Sequence, residues 1–112
     1  MLNVENCRIY IRPGKTDMRK AINGLSAMVS NSMNLNPLAG DLFLFSNRRN
    51  SMKVLYWDRN GYCLWQKRLE KHRFPWPKSD DEVLELTKQE WEWLLAGINF
   101  FDAHETLVFS QP

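Results

Sequence analysis

Hydrophobic positions recur with two different periods along this chain. The run CRIYI at residues 7–11 is β-branched and aromatic and ends at Pro13-Gly14, which predicts a short strand closed by a turn. Met18, Ala21, Ile22, Leu25, Met28 and Val29 then follow a three-and-four spacing, which predicts an amphipathic helix over about 17–30. Thr16 stands where an N-cap is needed, and Asp17 where a helix dipole favours negative charge. Gly24 interrupts the helix and reads as a point of close backbone approach. Residues 31–40, with three asparagines, Pro37 and Gly40, read as a loop.

The period then changes to two. Leu42–Asn47, Ser51–Trp57 and Tyr62–Leu69 are strand-like runs, joined by Arg48-Arg49-Asn50 and by Asp58-Arg59-Asn60-Gly61. They predict an antiparallel three-stranded meander over about 42–69. The second connection suits a type I turn with Gly61 left-handed, or a two-residue Asn-Gly turn. In the first form Lys53 faces Lys67 across the ladder, a repulsion that a bound anion would relieve. Both faces of the meander carry apolar residues, so one helix covers one face and the other needs a second cover.

Residues 71–78, KHRFPWPK, cannot continue a strand or helix, because Pro75 and Pro77 fix the backbone. They form a stiff basic arm, with Phe74 and Trp76 either exposed or closing an open end of the core. Val83–Leu86 is a possible short strand. Thr87-Lys88-Gln89-Glu90 matches a capping box, and Trp91, Leu94, Leu95 and Ile98 predict a helix over about 88–97 with Trp93 off its apolar stripe. Leu107-Val108-Phe109 is an apolar tail. The expected fold is α+β, a small single domain over 1–112.

Composition adds little to this picture, but charge adds much. At 112 residues, 44% hydrophobic and 25% charged, the chain matches an ordinary soluble domain. It has no apolar run of membrane-spanning length and no signal-peptide pattern at its start. Cys7 and Cys63 lie in strand-like runs without CxxC spacing and read as small buried hydrophobes, which points to a cytoplasmic location. The net charge of +2 hides a polarity: residues 1–78 hold 14 Lys/Arg and 5 Asp/Glu, while residues 79–112 hold one lysine and 8 acids. Such asymmetry suits an anionic partner for part of the surface.

Parts for catalysis are scarce. His72 and His104 lack ligand-spaced companions, and there is no glycine-rich phosphate loop, GxSxG or HExxH. Asp17, Asp41, Asp58 and Glu70 would have to converge to hold a divalent metal, and simpler local roles are available for Asp17 at a helix start, Asp58 in a turn and Glu70 beside Lys71. The expectation is a non-enzyme with no cofactor, no metal and no small-molecule substrate. Binding is better supplied. Between Asn47 and Pro77 there are eight basic and two acidic residues, interleaved with aromatics. Arg48, Arg49, Lys53, Lys67, Arg68, Lys71 and Arg73 are the candidate nucleic-acid-binding residues, positioned to meet phosphates.

These same stretches carry a resemblance. GLxxxV at residues 24–29, LFLFSNRRNSMKVLYWDRNGYCLWQKRLEKHRFPWP at 42–77 and LTKQEWEWLLAGI at 86–98 closely resemble the TnpB accessory proteins of the insertion-sequence-66 family of bacterial mobile elements, the product of their second open reading frame. The similarity runs from about Ile9 to Ile98, and nothing in it matches the larger RNA-guided nuclease that shares the TnpB name. The resemblance implies an accessory factor required for transposition, working beside a separate transposase that carries the catalytic acids. It supplies no catalytic residue. The expected partners are DNA, as element ends or a transposition intermediate, and the transposase, which the acidic segment Asp80–Glu92 would face. The alternative is a protein-interaction module that docks on the transposase without touching DNA.

Overall fold

A five-stranded mixed sheet organises the computed structural model, which describes residues 4–78 and 82–101. The elements in chain order are β1 (Ile9–Ile11), α1 (Ile22–Asn31), β2 (Leu42–Ser46), β3 (Ser51–Asp58), β4 (Gly61–Arg68), β5 (Leu84–Leu86) and α2 (Lys88–Leu95), and the strand order is β4-β3-β2-β1-β5. The α+β class holds. The meander β2-β3-β4 is present but is only part of the sheet. β1 adds to it in parallel, Ile9 opposite Leu42 and Ile11 opposite Leu44, and β5 adds antiparallel to β1. Strands of three residues are too short for alternation to declare a partner. The parallel β1–β2 pair needs a long crossover, which α1 and its flanking loops provide.

Both faces of the sheet are covered. On one, Leu25 and Val29 of α1 bury Phe43, Phe45 and Leu55. On the other, Trp91, Leu94 and Leu95 of α2 join Phe74 and Trp76 of the arm over Ile9, Ile11, Leu42, Leu44, Met52 and Val54. The second cover that the two-sided apolar pattern demanded is therefore α2 together with the arm.

Three local expectations are corrected. First, α1 begins at Ile22 rather than near residue 17, with Ala21 as N-cap and no side-chain cap. Thr16 is buried instead: its N–H donates to Ser46 O at 2.7 Å and its Oγ1 accepts from Arg12 Nη1 at 3.2 Å. A β-branched residue with both polar groups satisfied on the sheet end is worth more there than at an exposed cap. Second, β3 and β4 close with Asp58 opposite Gly61. The two-residue loop is Arg59-Asn60, with the left-handed conformation on Arg59 (φ 57°) and not on Gly61. Third, a Cβ added at Gly24 would meet only the Lys20 side chain, at 3.5 Å, so no backbone crosses there.

The capping box of α2 forms as its residues dictate. Glu90 N donates to Thr87 Oγ1 at 3.1 Å, and Thr87 N donates to Glu90 Oε1 at 2.9 Å. The helix stops at Leu95, just before Gly97 at φ 77°. The apolar tail at 107–109 lies outside the described residues. Among those residues, no helix is long and apolar enough to cross a membrane.

Candidate nucleic-acid interface

The β2–β3 loop is built by small polar side chains. Asn47 Oδ1 accepts the N–H groups of Arg49 (2.8 Å) and Ser51 (3.2 Å). Ser46 Oγ accepts from Arg48 N at 3.0 Å and donates to Ser51 O at 2.7 Å. These bonds turn the chain locally, with Arg48 at φ 60°, and leave both arginine side chains exposed.

The arm is strapped to this loop. Leu69 N donates to Asn50 O at 2.7 Å and Phe74 N to Arg49 O at 2.8 Å. Further on, Trp76 Nε1 donates to Arg12 O at 2.8 Å, and Pro77 O accepts from Gly14 N at 3.0 Å. Phe74, Pro75, Trp76 and Pro77 are all buried, so Phe74 and Trp76 close the core while Lys71, His72, Arg73 and Lys78 reach solvent. Arg68 lies opposite Ser51, and Lys71 sits in the short bend between the two strapped points. Arg48, Arg49, Arg68, Lys71 and Arg73 thus gather at one end of the sheet.

Among the described residues, ion pairs join Arg19 to Asp17 at 2.8 Å and Arg68 to Glu70 at 3.2 Å. Arg48, Arg49, Lys71 and Arg73 take part in neither. The Arg68–Glu70 pair is solvent-exposed on both sides and holds weakly.

Two predicted members leave the group. Lys53 is 8% exposed, under α1, and its Nζ donates to Met18 O and Lys20 O, each at 2.8 Å. Lys67 projects to the opposite face, where its Nζ donates to Leu95 O at 3.0 Å at the C-terminal end of α2. Nor do they face each other: Lys53 pairs with Gln66, and Lys67 with Met52. The two-residue β3–β4 loop shifts the register by one from the bulged alternative, which sends the lysines to different sides. Lys67 is spent on an orphan carbonyl of the last turn of α2, and Lys53 on two carbonyls of the segment that leads into α1.

Other cations join the end without having been singled out. Lys15 and Arg19 share a concavity of about 520 Å³ with Asn47 and Arg49. Lys78 shares a second, of about 310 Å³, with Arg48 and Arg73. Their recruitment depends on long-range backbone bonds such as Thr16 N to Ser46 O, for which local sequence pattern carries no signal.

The aromatic strand residues are placed elsewhere. Trp65 packs against Trp91, ring centroids 6.3 Å apart, and Trp57 meets Tyr62 edge-on at 5.1 Å near the far turn of β3–β4. Six residues of strand put Trp57 roughly 20 Å from the arginine loop. The four acids considered for a metal do not converge. Asp17 binds Arg19, Asp41 Oδ1 accepts from Arg8 N at 3.0 Å, Glu70 pairs with Arg68, and Asp58 sits at the far turn. Among the described residues, no three His, Cys, Asp or Glu side chains form a metal-binding group.

Comparison with known proteins gives a consistent result. The family described as "IS66 Orf2 like protein" matches residues 7–105. Two proteins of Sinorhizobium fredii (strain NBRC 101917 / NGR234) are similar over most of their length. "Uncharacterized protein y4hO" is 38% identical over 91% of this chain and 90% of its own; "Uncharacterized protein y4jC" is 33% identical over 83% and 80%. No solved structure matches the chain.

Proposed function

Because the chain belongs to the IS66 Orf2-like family, whose role is that of an accessory protein of insertion sequences, we propose that it is a non-enzymatic transposition factor that grips DNA. The DNA would be element ends or a transposition intermediate, in the cytoplasm, with the transposase as its protein partner. Arg48, Arg49, Lys71 and Arg73 hold phosphates, Arg68 assists, and Lys53 and Lys67 do not touch the ligand.

One observation carries this reading. The strap from Arg49 O to Phe74 N brings two separate basic segments together on rigid backbone, and four of their cations form no ion pair among the described residues. Grouped guanidinium and ammonium ions without carboxylate partners suit a polyanion. An interaction surface for the transposase finds separate support in Trp93 on α2 and Ile98 just after it, which are 38% and 50% exposed.

Charge reversal tests the proposal. Arg48→Glu with Arg49→Glu is expected to weaken binding to element-end DNA by at least about tenfold. It should also lower the slope of log affinity against log salt by about 2, at about 0.9 per duplex phosphate. Unchanged DNA binding together with lost transposase pull-down would leave the docking reading standing in its place.

A further inference from the structure

The concavity between the β2–β3 loop and the arm contains more than phosphates require. Its rim carries Arg48 and Arg73, but Phe74, Pro75, Trp76 and Phe101 also line it. At about 310 Å³ it is at the small end of ligand pockets, roughly 300–1,000 Å³. Trp76 is 9% exposed with its indole N–H committed to Arg12 O, so it closes the floor of the concavity and offers a ligand no polar group. Phe101 is half-buried against Phe100, ring centroids 4.1 Å apart.

From this combination we infer that the concavity takes one unpaired nucleotide of a DNA strand, its base against the Phe101 ring above the buried Trp76 and its phosphates on Arg48 and Arg73. A base is a flat aromatic ring with a phosphate one sugar away, and a ring flanked by guanidinium groups matches that shape and charge. A paired base is stacked above and below and cannot enter such a site without leaving the helix. Arg48 (φ 60°) occupies the left-handed region, which glycine adopts without a steric penalty, so its side chain can be removed there without straining the loop.

This inference rests on the DNA-binding reading and specifies the form of DNA. It is tested by titrating the full chain with a blunt duplex, the same duplex carrying a short single-stranded overhang, and the overhang strand alone. The wild type should bind the overhang and the single strand at least about tenfold more tightly than the blunt duplex, within the range that base–aromatic stacking provides. Phe101→Ala should reduce that preference to about twofold or less with blunt-duplex affinity retained, thermal melting serving as the check on folding. Arg48→Gly, at a backbone position that glycine favours, keeps the fold and should weaken overhang binding more than blunt-duplex binding. Equal wild-type affinity for blunt and overhang duplex overturns this inference alone, as does a preference that survives both substitutions. No binding to any of the three DNAs overturns it together with the DNA-binding reading.

Discussion

Lys53 and Arg49 belong to one hairpin, carry the same charge and do opposite things. Lys53 is closed in under α1 with its ammonium on two backbone carbonyls, whereas Arg49 is exposed beyond the strand end. The difference comes from what lies over each position. A strand interior is solvated only if nothing packs on that face, and here both faces are covered. A loop at the sheet end escapes both covers. Cations within the strands of this sheet therefore support the fold, and those at its end remain available to a partner.

The sharpest way to break this comparison is to exchange the two effects. Lys53→Met keeps the length of the side chain but removes both hydrogen bonds, leaving Met18 O and Lys20 O without the donor they share. Hydrogen bonds from a charged donor are worth roughly 1.5–3 kcal/mol each, so a loss of about 3 kcal/mol in unfolding free energy is expected by urea denaturation. DNA affinity of the folded protein should not change. Arg49→Met should do the reverse, leaving stability within about 0.5 kcal/mol, as at most surface sites. A stable Lys53→Met protein with weakened DNA binding would return Lys53 to the interface.

Lys67 provides a smaller version of the same test. Its single bond to Leu95 O serves a helix end that has orphan carbonyls and partial negative charge. Lys67→Met is expected to cost about 1–2 kcal/mol. Amide exchange should rise most in the last turn of α2, with salt dependence of DNA binding unchanged. Uniform loss of protection across β3 and β4 would mean that Lys67 supports the hairpin instead.

This division of labour also explains what the sequence made legible. The meander, the capping box at Thr87 and the α2 stripe were readable because each is encoded within a few residues. Arg48, Arg49 and Arg73 were readable as surface cations because they sit beside turn residues and prolines. What was hidden depends on contacts far apart in sequence. Parallel pairing of β1 with β2 has no local signature, and a one-residue difference in the β3–β4 loop decided which faces Lys53 and Lys67 took. Thr16 looked like a cap because the residues after it are helix-compatible, but its distant bonds to Ser46 and Arg12 overrode that preference.

Arg19 is a third kind of cation, exposed like Arg49 and lining the same concavity, yet engaged. Its guanidinium grips Asp17 through three side-chain bonds of 2.8–3.1 Å, and Arg19 N adds a fourth at 2.9 Å. The guanidinium and that backbone N–H hold the Asp17 carboxyl down from 3.8 to about 2. Because the folded carboxyl is the stronger acid, its small contribution to stability is complete above the unfolded value near 3.8 and disappears as pH falls through about 2. Arg19→Ala should move the Asp17 midpoint, followed by carboxyl NMR, most of the way back towards 3.8, since the side-chain bonds are the largest cause. At neutral pH the pair is close to electrically neutral, so the same substitution should change the salt slope of DNA binding much less than loss of Arg49 does. A slope change as large as that for Arg49 would show that DNA draws Arg19 away from Asp17, and would place Arg19 among the phosphate contacts.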